Sequence, residues 1–328
     1  MSDVIRDVPK FNAKAVPRSR RIYRHVRAVT LLTALLTGAL AAQSWRAPRT
    51  AWGDPDLTGT YVNDNEYATP LERPDEFAGR QIQDVTPGEF QVKARDRAVA
   101  GLAPGPRGPD DWWLNNLDLA RRSQPWLVVD PPDGRIPPLT PAGKQRASQR
   151  VRSGFVGGPF DSPADLNSLE RCITRGVPGS MIPVMYGNSY QIAQAPGFVV
   201  ITYEIVHEAR IIPLDGRPRL NQAIRQHMGD ARGRFDGDTL VVDTTNFTTL
   251  GAYRSSDPST LTITERFRRV SADRIAWTAT ISDPNTWTRP WTIALPMTRT
   301  AQGSLPFECH EHNYGLANIL KAARAGER

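Results

Sequence analysis

Three histidines stand in patterns that could support acid–base or metal chemistry. His207 lies in a long apolar, β-branched segment, where a neutral imidazole could act as a general base or acid near neutral pH. His310 and His312 are two residues apart, so on a strand they would share a face, and with His207 they could bind a metal ion. The alternatives are a core histidine bonded to a backbone carbonyl at 207 and a solvated polar strand end at 307–312.

Two charged residues lie on strand faces that are otherwise apolar. Glu265 alternates with apolar residues, and Arg289 lies two residues from both Trp287 and Trp291. A charge that faces a core is costly unless it is paired or functional. Glu265 and Arg289 could therefore form a structural ion pair. Alternatively, Arg289 between two tryptophan rings would hold an anionic or aromatic ligand.

A predicted hairpin positions the first histidine. Residues 190–194 and 198–212 would be its two arms, and Pro196-Gly197 its turn. The period of two then puts Tyr203 and His207 on the most apolar strand face of the chain. The opposite face would carry three charged residues: Glu204, Glu208 and Arg210.

The rest of the C-terminal half predicts further hairpins with short turns, such as Asp236-Gly237-Asp238. The predicted strands lie at 57–62, 125–130, 232–235, 239–246, 261–270, 274–282 and 287–299. The predicted helices lie at 87–98, 140–152, 162–172 and 313–324. We therefore predict a mainly β fold, an antiparallel meander that closes as a barrel or half-barrel, with a few short helices. Gly59-Thr60-Tyr61 on the first strand resembles the corresponding motif of lipocalin-like barrels.

The N-terminus has the features of an export signal. Residues 28–42 are an uncharged apolar stretch of 15 residues behind several arginines, too short for a comfortable membrane span. Ala39-Leu40-Ala41 supplies the small residues that signal peptidase needs. We therefore predict an export signal at 1–41, of Sec or, because residues 19–23 resemble a twin-arginine motif, Tat type. An uncleaved membrane anchor is the alternative.

After the signal we predict a linker at 42–58 and a single β-rich domain at 59–328, with an irregular part at 59–154 and the β-meander core at 155–328. The whole chain has a formal charge of +7, but the leader contributes 8 basic and 2 acidic residues, so about 287 residues remain with a charge of +1. A nearly neutral mature protein has no global electrostatic reason to bind nucleic acid. We predict a periplasmic or secreted protein that is not inserted in the membrane after signal cleavage.

Cys172 and Cys309 are the two cysteines of the chain. In an oxidising compartment they favour one disulfide that joins the middle of the chain to its end. Two buried free thiols are the alternative.

Familiar catalytic signatures are absent from the sequence. It has no Gly-x-Ser-x-Gly elbow, Walker loop, dinucleotide fingerprint, His-Glu-x-x-His or Cys-x-x-Cys. These absences disfavour a standard serine hydrolase, a nucleotide enzyme, a zincin and a thiol oxidoreductase.

Seven stretches, in order, resemble a family of exported bacterial proteins of unsettled function: WGDPDLTGTY, VDPPDGRIPPLTP, ERCITRG, YEIVHEARIIPLDGRP, GRFDGDTLVVDTTNF, DPNTWTRPWT and FECHEHNYGL. They span nearly everything from Trp52 to the end, and the resemblance implies export. In that family the last motif usually reads Cys-His-Glu-Gly-Asn-Tyr, so His312 departs from it. This departure favours a metal-free site with His310 and Glu311 over a two-histidine metal edge.

The sequence therefore predicts functions of two classes. The first is an exported enzyme without a cofactor, a lyase, isomerase or hydrolase, that acts on a small hydrophobic or aromatic molecule by general acid–base chemistry. Its catalytic residues would be His207, His310, Glu265 and Tyr203, and its substrate-binding residues Arg289, Trp287, Trp291, Tyr190 and Glu311. The alternative is a periplasmic small-molecule-binding β-barrel in which these groups serve recognition alone.

Overall fold

The structure is a computed structural model that describes residues 45–63, 66–67, 69–100, 123–149, 160–184, 187–311 and 313–326, with only the backbone described at 94–100. The described residues from Arg46 onward belong to one compact unit. The predicted export signal lies outside the described residues. No helix in the described part of the chain is long and apolar enough to cross a bilayer.

The described residues form one antiparallel sheet of ten strands. The strands are β1 Gly59–Val62, β2 Val128–Asp130, β3 Ser189–Ala195, β4 Phe198–Tyr203, β5 Ala209–Pro213, β6 Asp230–Asp236, β7 Thr239–Thr245, β8 Thr262–Arg269, β9 Arg274–Ser282 and β10 Trp291–Arg299. Their order is β5-β4-β3-β1-β10-β9-β8-β7-β6, and β2 pairs with β10 beside this path. The predicted mainly β meander is therefore confirmed.

The sheet curls into a nearly closed barrel. Its path has nine strands, each antiparallel to its neighbours. With an odd number of alternating strands the first and the last run in the same direction, so β5 and β6 meet in parallel without a hydrogen-bonded ladder among the described residues. Gly233 on β6 permits their close approach, because a Cβ atom there would lie 2.6 Å from Leu214 and 2.8 Å from Ile212.

The barrel interior is filled with side chains. On β8, β9 and β10 every second residue is buried, as the period of two requires. The inward face of β10 is Trp291, Ile293, Leu295 and Met297. The predicted face also included Trp287 and Arg289, which precede the strand. On β8, Glu265 lies on the inward face in the middle of the strand, and its exposed fraction is 0%. The structure thus confirms that a carboxylate points into the core.

In the described part of the chain, three short helices flank the barrel: α1 Pro87–Ala100, α2 Pro141–Ser148 and α3 Tyr314–Arg324. Thr140 caps α2, because its Oγ1 accepts a hydrogen bond from the amide of Gly143, and Asn313 caps α3 in the same way. The predicted helix at 162–172 is wrong beyond its first turn. Ser162 caps a single 3-10 turn at Pro163–Asp165, and the next residue, Leu166, is extended.

The prediction of one continuous strand at 198–212 is also wrong. β4 ends at Tyr203, and a tight turn precedes β5 because Val206 and His207 adopt φ angles of 57° and 40°. The amide of Tyr203 donates to the Glu208 carbonyl across this turn at 2.9 Å. The turn exchanges the inward-facing and outward-facing positions of the second arm, so Arg210 faces the interior. His207 leaves the apolar face and becomes exposed.

Candidate functional site

A buried ion pair crosses the barrel interior. Arg210 Nη2 lies 2.6 Å from Glu265 Oε2, and the exposed fractions of the two side chains are 2% and 0%. The predicted pairing of Glu265 with Arg289 is therefore wrong. β10 begins only at Trp291, after Pro290, so Arg289 lies in the preceding turn with its side chain 51% exposed, 3.7 Å from an Asp130 carboxylate oxygen.

Neutral hydrogen-bonding groups surround this ion pair. Arg210 also donates to the Tyr203 hydroxyl and to Thr244 Oγ1, each at 3.1 Å, and Trp277 Nε1 donates to Glu265 Oε1 at 3.1 Å. Burial opposes the charge on Arg210, but its proximity to Glu265 outweighs this and raises the pKa of the guanidinium. Burial raises the pKa of Tyr203 to about 12, so its phenol is neutral. Glu265 and Tyr203 therefore belong to one buried network of hydrogen bonds around Arg210.

Tyr190 belongs to the same core. Its hydroxyl donates to Asn63 Oδ1 at 2.9 Å, and its ring meets that of Tyr203 edge-on with centroids 5.8 Å apart. The ring is fully buried, and burial raises the pKa of the phenol. Tyr190 therefore packs the barrel rather than lining an open site.

The histidine-rich C-terminal segment lies on the outside. His207 Nδ1 is 4.0 Å from Glu308 Oε2, with both side chains about half exposed. His310 and Glu311 are exposed, and His312 lies outside the described residues. No three His, Cys, Asp or Glu side chains of the described part form a group that could hold a metal ion. The three-histidine metal site thus stays a prediction.

The predicted disulfide is confirmed between Cys172 and Cys309, which are 137 residues apart in the chain. It fastens the C-terminal segment to the end of the barrel where β4 turns into β5. The amide of Phe307 donates to the Glu204 carbonyl at 2.8 Å, and Asn313 Nδ2 donates to the Glu170 carbonyl at 2.9 Å. The C-terminal segment is therefore held by bonds on both sides of Cys309.

A cavity of about 520 Å³ opens at the end of the barrel where β10 begins. Three arginines from separate segments contribute to its wall, namely Arg146, Arg175 and Arg254, and no Asp or Glu is among its described lining residues. Apolar side chains complete the wall: Leu166, Ile182, Leu250 and Tyr253. The cavity thus combines positive charge with apolar surface.

Arg146 is held firmly on α2. Its Nη2 donates to the Asn285 carbonyl and to Thr286 Oγ1, both at 2.7 Å, and its Nη1 is 3.8 Å from an Asp257 carboxylate oxygen. Gly143 makes this docking possible, because a Cβ atom there would collide with the Thr286 carbonyl. The interactions orient Arg146 along one wall of the cavity.

The other two arginines are placed by loops. Arg175 Nη2 donates to the Ile182 carbonyl at 2.9 Å. Arg254 and Ser255 adopt φ angles of 54° and 62°, a left-handed conformation that is uncommon for residues other than glycine. Among the described residues Arg254 has no hydrogen-bond or ion-pair partner. Such strained backbone concentrates at functional sites.

An aromatic stack lies behind the cavity. The Tyr253 ring lies 6.2 Å from the Trp291 ring, which in turn meets Trp287 edge-on at 5.4 Å. Trp291 is fully buried, and its indole Nε1 has no hydrogen-bond partner in the described part of the chain. The two tryptophans predicted to bind a ligand thus lie behind the cavity wall rather than on it.

Sequence reasoning did not identify the three cavity arginines. Arg146, Arg175 and Arg254 are far apart in the chain, and no local pattern connects them. The ERCITRG stretch singled out above contains Arg175 but not the other two. The predicted site residues are instead divided between the barrel core and the exposed outer surface, and none of them is among the described residues that line the cavity.

No family model matches this chain, and no curated protein matches it. One solved structure that matches is titled "Crystal structure of a secretary abundant heat soluble (SAHS) protein from Ramazzottius varieornatus". The TM-score is 0.23 with 10% sequence identity, and the match covers 34% of this chain and 70% of that chain. At this TM-score nothing about the function of the present chain follows from the match.

Proposed function

We propose that this chain is an exported binding barrel that holds a small amphipathic anion in the cavity at the end of its barrel. The observation that carries the proposal is the cavity lining, in which three arginines meet apolar side chains and no Asp or Glu is among the described lining residues. Of the three, Arg146 is also 3.8 Å from an Asp257 carboxylate oxygen, so the proposal depends most on Arg254. A volume of about 520 Å³ suits a small organic molecule. The ligand class is a carboxylate, sulfonate or phosphate on an apolar or aromatic body.

The chemistry of the wall supports this ligand class. A guanidinium offers several N–H donors in one plane and binds carboxylate or phosphate with two parallel hydrogen bonds. Arg254 is the best candidate for this contact, because its charge has no partner among the described residues. Leu250 and Tyr253, from the same loop, would cover the apolar body of the ligand.

Binding is favoured over catalysis by where the acid–base groups lie. The predicted enzyme needs His207 close to His310 or Glu265, but the histidines are exposed on the outer surface and Glu265 is buried with Arg210. A general base must lie within hydrogen-bond reach of its substrate. None of the three is among the described residues of the cavity wall.

Export is part of the proposal. A disulfide is stable in the periplasm or outside the cell and rare in the reducing cytosol, which supports an oxidising location for the Cys172–Cys309 bond. The leader at 1–41 would be removed, leaving a mature chain that starts at residue 42. N-terminal sequencing of the protein from a periplasmic extract checks this, and an intact leader on the folded protein would contradict it.

The binding test uses the mature protein with decanoate and naphthoate as probes, measured by isothermal titration calorimetry. Arg254→Gln should weaken binding about tenfold or more, because a hydrogen bond to a charged group contributes about 1.5 to 3 kcal/mol. Arg268→Gln is the matched control, since Arg268 is exposed on β8 and also has no partner among the described residues. Equal affinities of the two variants would refute the assignment of the cavity.

Native mass spectrometry of the protein purified from its own host offers an independent measurement. A mass excess of organic size that disappears on denaturation would support a bound ligand. Turnover of any ligand so identified, lost in His207→Ala with the fold intact, would replace the binding proposal by the enzyme prediction.

A further inference from the structure

A second cavity of about 370 Å³ adjoins the first. Pro258 lines both cavities, and the chain around it continues along the wall of the second through Ser259, Thr260 and Leu261. Two more arginines, Arg219 and Arg225, contribute to the second cavity. As in the first cavity, no Asp or Glu is among the described lining residues.

Both arginines of the second cavity bond to backbone carbonyls. Arg225 Nη1 donates to the carbonyls of Phe247 and Pro258, at 3.1 and 2.5 Å. Arg219 Nη1 donates to the Asp230 carbonyl at 3.0 Å. Neither guanidinium forms an ion pair with a carboxylate of the described residues. Carbonyl bonds orient the two arginines. Arg219 also interacts electrostatically with Asp243, so Arg225 is the better candidate to bind an anion.

The nearby carboxylates are already engaged elsewhere. Asp257 accepts from the amide and hydroxyl of Ser259 and from Asn285 Nδ2, and its remaining ion-pair contact is with Arg146 of the first cavity. Asp230 pairs with Arg232. Asp243 Oδ2 likewise accepts from Arg234 Nη1 at 2.7 Å. Arg254 in the first cavity and Arg225 in the second have no carboxylate partner among the described residues, so their charges are left for a ligand from solution.

We propose that the two cavities hold one ligand with two anionic groups joined by an apolar body. One anionic group would contact Arg254 in the first cavity, the second would contact Arg225 in the second cavity, and the apolar body would pass over Pro258. This inference rests on the proposed function, and it narrows the ligand class from amphipathic monoanions to dianions such as long α,ω-dicarboxylates.

The test compares decanoate with decanedioate, which share a chain and differ in one carboxylate, and extends to dicarboxylates from hexanedioate to tetradecanedioate. We expect the mature protein to bind its best dicarboxylate at least about tenfold more tightly than the monocarboxylate of equal length, since each added charged contact is worth about a factor of ten. One chain length should be preferred, because the separation of the arginines is set by the fold.

Gln222→Glu is the decisive variant. Gln222 is exposed, lines the second cavity and has no hydrogen-bond partner among the described residues, so the change adds a negative charge without removing a contact. Binding of the dicarboxylate should weaken at least about fivefold and binding of decanoate less than about twofold, because like charges placed together repel. Gln302→Glu, on the exposed segment after β10, adds the same charge elsewhere and should change neither affinity.

The outcomes separate the two proposals. If Arg254→Gln weakens both ligands while Gln222→Glu weakens neither, the single-anion site stands and the two-headed ligand is refuted. If Arg254→Gln weakens neither ligand, the proposed function fails as well. Melting temperatures of all variants must stay close to that of the unmodified protein, and Arg225→Gln is kept as a secondary variant because Arg225 also holds two loop carbonyls.

Discussion

Glu265→Gln is the sharpest test of the barrel interior. The substituted amide has nearly the shape of the carboxylate and keeps an oxygen for the Trp277 indole N–H, which donates to Glu265 Oε1 at 3.1 Å. What it removes is the negative charge 2.6 Å from Arg210, whose side chain is 2% exposed. The variant therefore leaves a cation buried without its counter-ion.

The expected loss is large because the buried cation cannot reach water. Breaking a buried ion pair by removing one partner costs about 3 to 5 kcal/mol, which corresponds to a fall in Tm of roughly 6 to 20 °C at about 2 to 4 °C per kcal/mol. Arg210→Met should lower the free energy of unfolding by a similar amount, since it leaves the Glu265 carboxylate buried without a cation. The double variant Arg210→Met with Glu265→Gln should be more stable than the sum of the single effects predicts, by about 2 to 3 kcal/mol.

Urea unfolding followed by circular dichroism, with the disulfide intact, gives these free energies. The control is Arg234→Met, because Arg234 pairs with Asp243 at 2.7 Å on the outer surface, where the two side chains are 59% and 27% exposed. Its loss should stay below about 1 kcal/mol. A cost of Glu265→Gln no greater than that of the control would refute the burial of the pair and the strand register that brings Arg210 inside.

Three further predictions concern the disulfide, the packing of α2 and the titration of Glu208. Replacing Cys172 and Cys309 together by serine should lower the free energy of unfolding by up to about 5 kcal/mol, because the bond closes a loop of 137 residues, and calorimetry of the double variant measures this. Gly143→Ala should lower Tm because the added methyl collides with a backbone carbonyl, whereas Gly88→Ala, which meets nothing within 4 Å, should leave Tm unchanged or raise it. Burial raises the pKa of Glu208, so the stability it contributes is present at low pH and lost as the pH rises through that raised pKa. The Tm of Glu208→Gln should therefore be higher than that of the unmodified protein at about pH 7, and this difference should disappear at about pH 4. A Tm difference that does not change with pH would contradict the raised pKa.

The strands could be predicted from the sequence because their signals are local. β6 and β7 are joined by Gly237-Asp238 of the predicted Asp236-Gly237-Asp238 turn, and Asp236 at the end of β6 lies opposite Thr239. Apolar alternation likewise predicts the inward face of β10 and the burial of Glu265. The boundaries of these strands shift by only one or a few residues from their prediction, because turn residues and alternation are properties of neighbouring positions.

The cavity could not be predicted, because its residues meet only through the tertiary fold. Arg146 comes from α2, Arg175 from the segment before β3 and Arg254 from the loop between β7 and β8. Arginines are common, and although Arg175 lies in the ERCITRG stretch, nothing in the local sequence connects it with Arg146 and Arg254. Charge that converges from distant segments becomes visible only when the fold is known.

The turn between β4 and β5 explains why the predicted site and the observed core differ. An unbroken strand would have put His207 inside and Arg210 outside, but two residues with positive φ, Val206 and His207, change the parity between them. Left-handed backbone costs about 1 to 3 kcal/mol at such residues, and a β-branched valine is among the least suited to it. The turn persists because it brings Arg210 to Glu265, which would otherwise be a buried carboxylate without a cation. One short turn therefore decides which charged residue enters the barrel, and it moves the most plausible catalytic histidine to the outer surface.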